Sequence, residues 1–234
     1  MRTGTRAVPA LGGSTQGLPW GRSESQGPAA QSEGPVFAGL ESVITGRRNV
    51  SARRLLAPGP SATQLQALLG LAAAAPDHGQ LQPWRFVLVP LEQRLRLADA
   101  FVSALIARDP SATQEQIAMA AEKAQRAPLL LLAVCSTGPA EHGIPSAERL
   151  VSLGAAIQNM LLGATAMGFG SGLSSGQSMD SAALRSLFSL GAQESAICFV
   201  NIGTVEEARL GKKLRSSVAE ILSILGQTIY SAPA

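Results

Sequence analysis

Three short clusters hold the side chains and backbone groups that could do chemistry: Gly46-Arg47-Arg48-Asn49, the loop from Pro76 to Trp84 (PDHGQLQPW), and the glycine- and serine-rich run from Gly168 to Gly176. Arg47 and Arg48 offer forked donors matched to a phosphate dianion, and the Asn49 amide could bond the same phosphate or the edge of a polar ring. A solvated basic turn is the plainer alternative. In the loop, Pro76 ends a helix and Gly79 relaxes the backbone, so His78, Gln80 and Gln82 project where a ligand could meet them. Trp84 reads as an apolar anchor. Gln82 either contacts a ligand or seats the loop. The Gly/Ser run places small side chains and free backbone N–H groups together, which suits close approach to a flat ring system; a flexible loop is the alternative.

Other chemistries are poorly supplied. The only histidines are His78 and His142, and no Ser/His/Asp order, metal-ligand pair or paired carboxylate stands out. Neither GxGxxG nor GxxxxGKS follows a strand and opens a helix. Cys135 and Cys198 each lie in an apolar run with no second ligand nearby, so they read as buried strand thiols that could pair only if their strands are adjacent. A net charge of +3 is a small surplus that does not call for nucleic acid. The stretch LVSLGAAIQNMLLGATAMGFG carries Gln158 and Asn159 at its middle, which makes it a core helix and not a membrane span. With no continuous apolar segment in residues 1–36 to serve as a signal, the expectation is a soluble, cytoplasmic protein.

The elements that must position the clusters follow from patterning. Residues 1–36 have neither helical nor strand period and read as a tail, residues 37–226 as one domain, and 227–234 as a second tail. Order is expected from near Ala38, with a helix capped by Ser61 and stopped by Pro76, then the strand WRFVLVP. Helices follow over about Leu91 to Arg108 and Ser111 to Arg126, then the strand LLLLAVCS, a long helix from about Ala147 to Met167, a short helix SAALRSLF and the strand AICFVNIG. Three or four strands surrounded by long helices make an α+β arrangement. Late basic residues Arg209, Lys212, Lys213 and Arg215 read as a solvated face that could alternatively reach phosphate. His142 and Glu148, in and after the loop before the long helix, have no derivable role.

The order and spacing of the three clusters, with GAAIQNML at Gly154 to Leu161 and NIGT at Asn201 to Thr204, resemble the nitroreductase family, specifically a small single-domain subgroup whose loop reads APDH followed by QPW. The resemblance runs from about Leu40 to Thr204. It implies an intertwined homodimer with a small, mostly antiparallel central sheet, FMN held without covalent attachment in a cleft between subunits, and hydride transfer from NADH or NADPH to a small acceptor such as a nitroaromatic or quinone. It also implies that the flavin carries the reactivity, so no catalytic side chain need be found.

By the same resemblance, Arg47, Arg48, Asn49, His78, Gln82, Leu173, Ser174 and Ser175 would contact FMN, and Gly163 to Gly168 the nicotinamide nucleotide. The chain departs from the pattern at Asn49, where Ser is usual, and at Leu173 and Ser174, where the subgroup has Trp and Arg. Losing a cation beside the ring should disfavour its anionic reduced state. A flavin-dependent dehydrogenase or ring-modifying enzyme of the same fold, and a flavin-binding protein without turnover, stay open as alternatives.

Overall fold

The computed structural model describes residues 34–138, 143–205 and 215–225. His142, Arg209, Lys212, Lys213, most of the N-terminal tail and the C-terminal tail lie outside the described residues. The chain divides into two units, residues 1–40 and 41–234; of the first, only residues 34–40 are described, and they form the opening of helix α1 (Pro35–Gly46).

The second unit is built on a four-stranded sheet, β1 (Trp84–Leu88), β2 (Leu129–Ser136), β3 (Gly170–Ser174) and β4 (Glu194–Gly203), in the order β1-β2-β4-β3 with every neighbouring pair antiparallel. β2 is the continuous apolar run LLLLAVCS because helices cover both of its faces. Its alternate residues part between two cores. Leu129, Leu131, Ala133 and Cys135 face α2 (Ala62–Ala73) and α5 (Ser146–Ala166), whereas Leu130, Leu132 and Val134 face α3 (Arg94–Arg108), α4 (Gln114–Glu122) and α6 (Ala182–Leu187).

Local chemistry sets the helix ends. Ser61 caps α2 as expected: its Oγ accepts from Gln64 N at 3.2 Å while Ser61 N donates to Gln64 Oε1 at 2.9 Å. The helix expected from Ser111 starts instead at Gln114. Asp109 Oδ1 accepts from both the backbone and the hydroxyl of Ser111, making a turn, and Thr113 with Gln116 forms the capping box.

A larger difference concerns the Gly/Ser run, part of which is strand β3 and not a loop. β3 lies between two partners: β4 on one side, and on the other the segment around Asn49 and Val50, where Asn49 bridges Ser171 in parallel and Val50 N donates to Ser171 O at 2.8 Å. Gly172 is required by that second contact, since a Cβ there would meet Val50 O at 2.1 Å. The strand exists because tertiary pairing on both edges overrides a composition of low strand propensity.

The cysteine strands β2 and β4 are adjacent, yet Cys198 stands opposite Ala133 and Cys135 opposite Ser195, so the thiols are not cross-strand partners and both are free. Burial pushes Cys198 up to about 11 and raises Cys135 as well, the latter opposed by Arg149. Both are unreactive packing thiols.

Candidate functional site

Two of the three clusters meet at the outer edge of β3. Asn49 Oδ1 accepts from Leu173 N at 3.3 Å, which ties the Arg47-Arg48-Asn49 turn to the segment Leu173-Ser174-Ser175. Ser171, between them, is 1% exposed, and its Oγ is the one buried side-chain polar atom without a hydrogen-bond partner among the described residues. Ser171 stands opposite Ile202, so its side chain faces the α2/α5 layer, on the other side of the sheet from Ser174 and Asn201.

The arginines of the turn have different roles. Arg48 Nη1 donates to the carbonyls of Thr45, Gly46 and Arg47 at 2.8, 3.3 and 3.4 Å, so it closes the C-terminal end of α1. Arg215 joins it, with Nη2 donating to Ile44, Thr45 and Arg47 oxygens at 3.2, 2.7 and 3.1 Å. The Arg47 guanidinium has no side-chain partner among the described residues and is the fork free for an anion. Arg215 thus stands beside the turn and is not a detached solvated residue.

Beyond Ser174 a cavity of about 420 Å³ opens between the sheet, α3, α4 and residues 174–179. Phe101, Met119 and Phe199 give it an apolar wall, Arg53, Arg108, Lys123 and Arg126 a cationic one, and no carboxylate lines it among the described residues. Asn201, 2% exposed, lies at its floor and donates through Nδ2 to Gly172 O (3.2 Å), Ser174 Oγ (3.0 Å) and Phe199 O (3.2 Å). Asn201 therefore orients the Ser174 hydroxyl and the β3 backbone that carries it. The donors along the β3 edge, with the Arg47 fork beside them, match a planar ligand that carries polar edge atoms and negative charge, and an isoalloxazine ring with a phosphate tail is such a ligand.

The third cluster is elsewhere in the protomer. The loop before Trp84 enters β1, at the opposite sheet edge, which puts it roughly 14 Å from β3 at three strand spacings. Its backbone is unusual: Gly79, Gln80 and Gln82 all have positive φ, at 67°, 53° and 45°, and Asp77 Oδ2 accepts from Gln82 N at 2.6 Å to hold the bend. His78 is exposed, and its Nδ1 contacts Glu148 Oε2 at 2.5 Å, on the first turn of α5. Glu148 thus has a partner that the sequence did not disclose. Trp84 is the expected anchor, packed against the α2/α5 core with Nε1 donating to Ser152 Oγ at 2.9 Å.

Gly163 and Gly168 have structural positions. Gly163 is buried at the crossing of α5 with α2, where a Cβ would meet Leu71 Cδ1 at 2.4 Å, and Gly168 turns the chain out of α5 at φ 82°. Asn201 and the cationic wall were absent from the sequence-derived site. The one available signal was a polar Asn within the otherwise apolar strand ICFVNIG.

The antiparallel sheet between helical layers is an α+β fold. The nitroreductase family profile matches residues 44–204, and the chain belongs to that family. A Haemophilus influenzae protein named "Putative NAD(P)H nitroreductase" is 33% identical over 154 residues, which cover 66% of this chain and 83% of that one. An Escherichia coli K12 relative of the same name, YdjA, is 33% identical over 165 residues, 70% of this chain and 87% of that one. Among solved structures, a nitroreductase-like family protein from Bacillus cereus superposes with TM-score 0.67 at 23% identity, covering 80% of this chain and 96% of that chain. The FMN-dependent nitroreductase NfnB from Mycobacterium smegmatis, in complex with NADPH, superposes with TM-score 0.61 at 19% identity over 80% and 98%.

Proposed function

We propose that the chain is an FMN-dependent oxidoreductase that takes hydride from NADH or NADPH and passes it to a small acceptor such as a nitroaromatic or a quinone, working in the cytoplasm as a homodimer. The observation that carries the reading is the junction of Asn49 with Leu173, which brings the Arg47 fork, without a side-chain partner among the described residues, to the edge of β3 beside the segment Leu173 to Ser175. FMN bound there would supply the two-electron chemistry, while the protein supplies position and charge. Arg47 would hold the phosphate with Arg215 nearby, Arg48 would keep the turn in shape, and the backbone of Leu173 to Ser175 would meet the ring edge. The names of the relatives, and the FMN-dependent fold neighbour in complex with NADPH, support the same chemistry.

The position of the loop supports the homodimer. His78 and Gln82 stand in the loop that enters β1, at the sheet edge opposite β3, and a second copy could bring them to its partner's flavin. A stripe on α5, Leu150, Val151, Gly154 and Gln158, is exposed on an otherwise buried helix, with Val151 at 71%, and offers a surface for self-association.

The test is the absorbance spectrum of purified protein, with released cofactor identified, followed by anaerobic addition of NADH or NADPH and then a nitroaromatic. A flavin that bleaches and is reoxidised by the acceptor supports the reading. Protein without flavin, or flavin that never bleaches, overturns it. A monomer retaining stoichiometric FMN removes the shared cleft.

A further inference from the structure

The cavity between the sheet, α3 and α4 is separate from the edge of β3 that meets Asn49. It opens on the sheet face that carries Phe199 and Asn201, whereas Ser171 and Leu173, opposite Ile202 and Val200, face the α2/α5 layer. Of β3, Ser174 alone lines it. Its walls are two helical stripes. Phe101, Leu105 and Arg108 share one face of α3, and Gln116, Met119, Ala120 and Lys123 continue one face of α4 into the turn that follows. Each stripe grades from buried apolar surface to exposed charge: Phe101 and Ala120 are buried, Arg108 and Lys123 exposed. The cations therefore stand at the mouth and the apolar surface lies within.

The four cations are not equivalent. Arg126 Nε and Nη2 donate to the Glu122 carboxylate at 3.3 and 2.8 Å, and Arg53 is 3.4 Å from the same group, so Glu122 offsets their charge. Arg108 and Lys123 have no side-chain partner among the described residues. The floor holds a second unmet group. Asn201 spends Nδ2 on Gly172, Ser174 and Phe199, and its Oδ1 accepts from no group among the described residues. Ser171 Oγ is the one sealed side-chain polar atom without a partner, so Asn201 Oδ1 is reachable from the cavity. A buried amide oxygen left open in this way calls for a donor.

We propose that this cavity is a second binding site, for a flat organic acid that places an apolar body between Phe101, Met119 and Phe199, a carboxylate at Arg108 and Lys123, and an O–H or N–H group on Asn201 Oδ1. The volume of about 420 Å³ suits a small organic ligand. With no carboxylate lining the cavity among the described residues, an anion meets attraction at the mouth and apolar contact inside. The inference goes beyond the flavin reading and stands without it.

Calorimetric titration of the full chain as purified tests this with three probes: a biphenyl bearing a hydroxyl at one end and a carboxylate at the other, the same acid without the hydroxyl, and the uncharged carboxamide of the hydroxyacid. The hydroxyacid is expected to bind once per protomer, the carboxamide about tenfold more weakly and the acid without the hydroxyl about fivefold more weakly. The double variant Arg108→Gln/Lys123→Gln changes two exposed side chains and leaves Arg53, Arg126 and Glu122 in place, so the fold is retained. It should weaken the hydroxyacid about tenfold and leave the carboxamide unchanged. Asn201→Ala should erase the difference between the acids with and without the hydroxyl; if that variant does not fold, equal affinity of the two acids for wild type overturns the Asn201 contact. Absence of saturable binding of the hydroxyacid overturns the site. So does binding that the double variant leaves undiminished, or that added FMN displaces, since the probe then lies outside this cavity. A protein that carries no flavin yet binds the hydroxyacid in the expected pattern overturns the functional reading and keeps the site.

Discussion

Asn49 and Leu173, separated by 124 positions in the chain, are joined by a hydrogen bond from the Leu173 backbone N–H to the Asn49 side-chain oxygen at 3.3 Å. This bond couples the turn that carries Arg47 to strand β3. Replacing Asn49 by Ala removes this bond and retains the backbone bridge of residue 49 to Ser171. FMN affinity is expected to fall about five- to tenfold, equivalent to about 1 kcal/mol for one hydrogen bond. Fluorescence titration of the apoprotein measures it, and unchanged affinity would remove Asn49 from the site.

Gly172→Ala is expected to be far more severe. Its Cβ would stand 2.1 Å from Val50 O, a backbone atom with no rotamer to change, so the Asn49–Val50 segment has to leave β3. A loss of more than about 2 kcal/mol in stability is anticipated, together with loss of flavin. Thermal unfolding and the flavin-to-protein ratio report the two effects. A Gly172→Ala protein that keeps its flavin would show that the contact with Val50 is not needed.

The pair His78 and Glu148 is exposed, so breaking it should barely affect fold stability. Glu148→Gln is expected to change unfolding free energy by less than about 1 kcal/mol. If the loop serves a partner subunit's flavin, the same variant lowers FMN affinity while the protein remains a dimer, as judged by light scattering. Equal flavin affinity in wild type and Glu148→Gln would make the contact incidental.

Acid stability should depend on Glu194. Arg85 donates to it twice, Nε at 2.6 Å and Nη2 at 2.9 Å, and these bonds together with Gly191 N and the nearby Arg185 lower its pKa from 4.5 to about 2. A carboxyl whose pKa is depressed on folding contributes stability that is complete above its unfolded pKa and is lost as pH falls through the folded value. That contribution should disappear between about pH 4.5 and about pH 2. Because Arg85 is 43% exposed, solvent screening reduces it to about 1–2 kcal/mol. Glu194→Gln should lose that amount at neutral pH and show a flatter stability profile across the acid window in urea melts. A profile with the wild-type slope would assign the acid sensitivity to other carboxylates.

Much of the architecture was legible because it is written in local terms. The capping box at Ser61, the apolar run of β2, the length of α5 and the anchor at Trp84 all depend on residues close in sequence or on burial that composition announces. The start of α4 was misplaced because a nearby aspartate turn competed with the true cap at Thr113. The strand in the Gly/Ser run was missed for a deeper reason. Glycine and serine carry no strand signal, and β3 forms only because β4 and the Asn49–Val50 segment supply hydrogen bonds on both edges.

The sequence by itself determined the family, the main helices and three of the four strands, and the residue types able to meet a phosphate and a flat ring, because these reside in patterns along the chain. Tertiary structure alone decided which of them meet. It joined Arg47 to Asn49 with Leu173 to Ser175, put His78 and Gln82 at the far edge of the sheet, and drew Arg53, Lys123, Arg126 and Asn201 to a cavity that no spacing in the chain foretold. The physical reason is that sheet order and helix crossing fix distances between residues tens of positions apart, and neither is encoded in the period or propensity of any single segment.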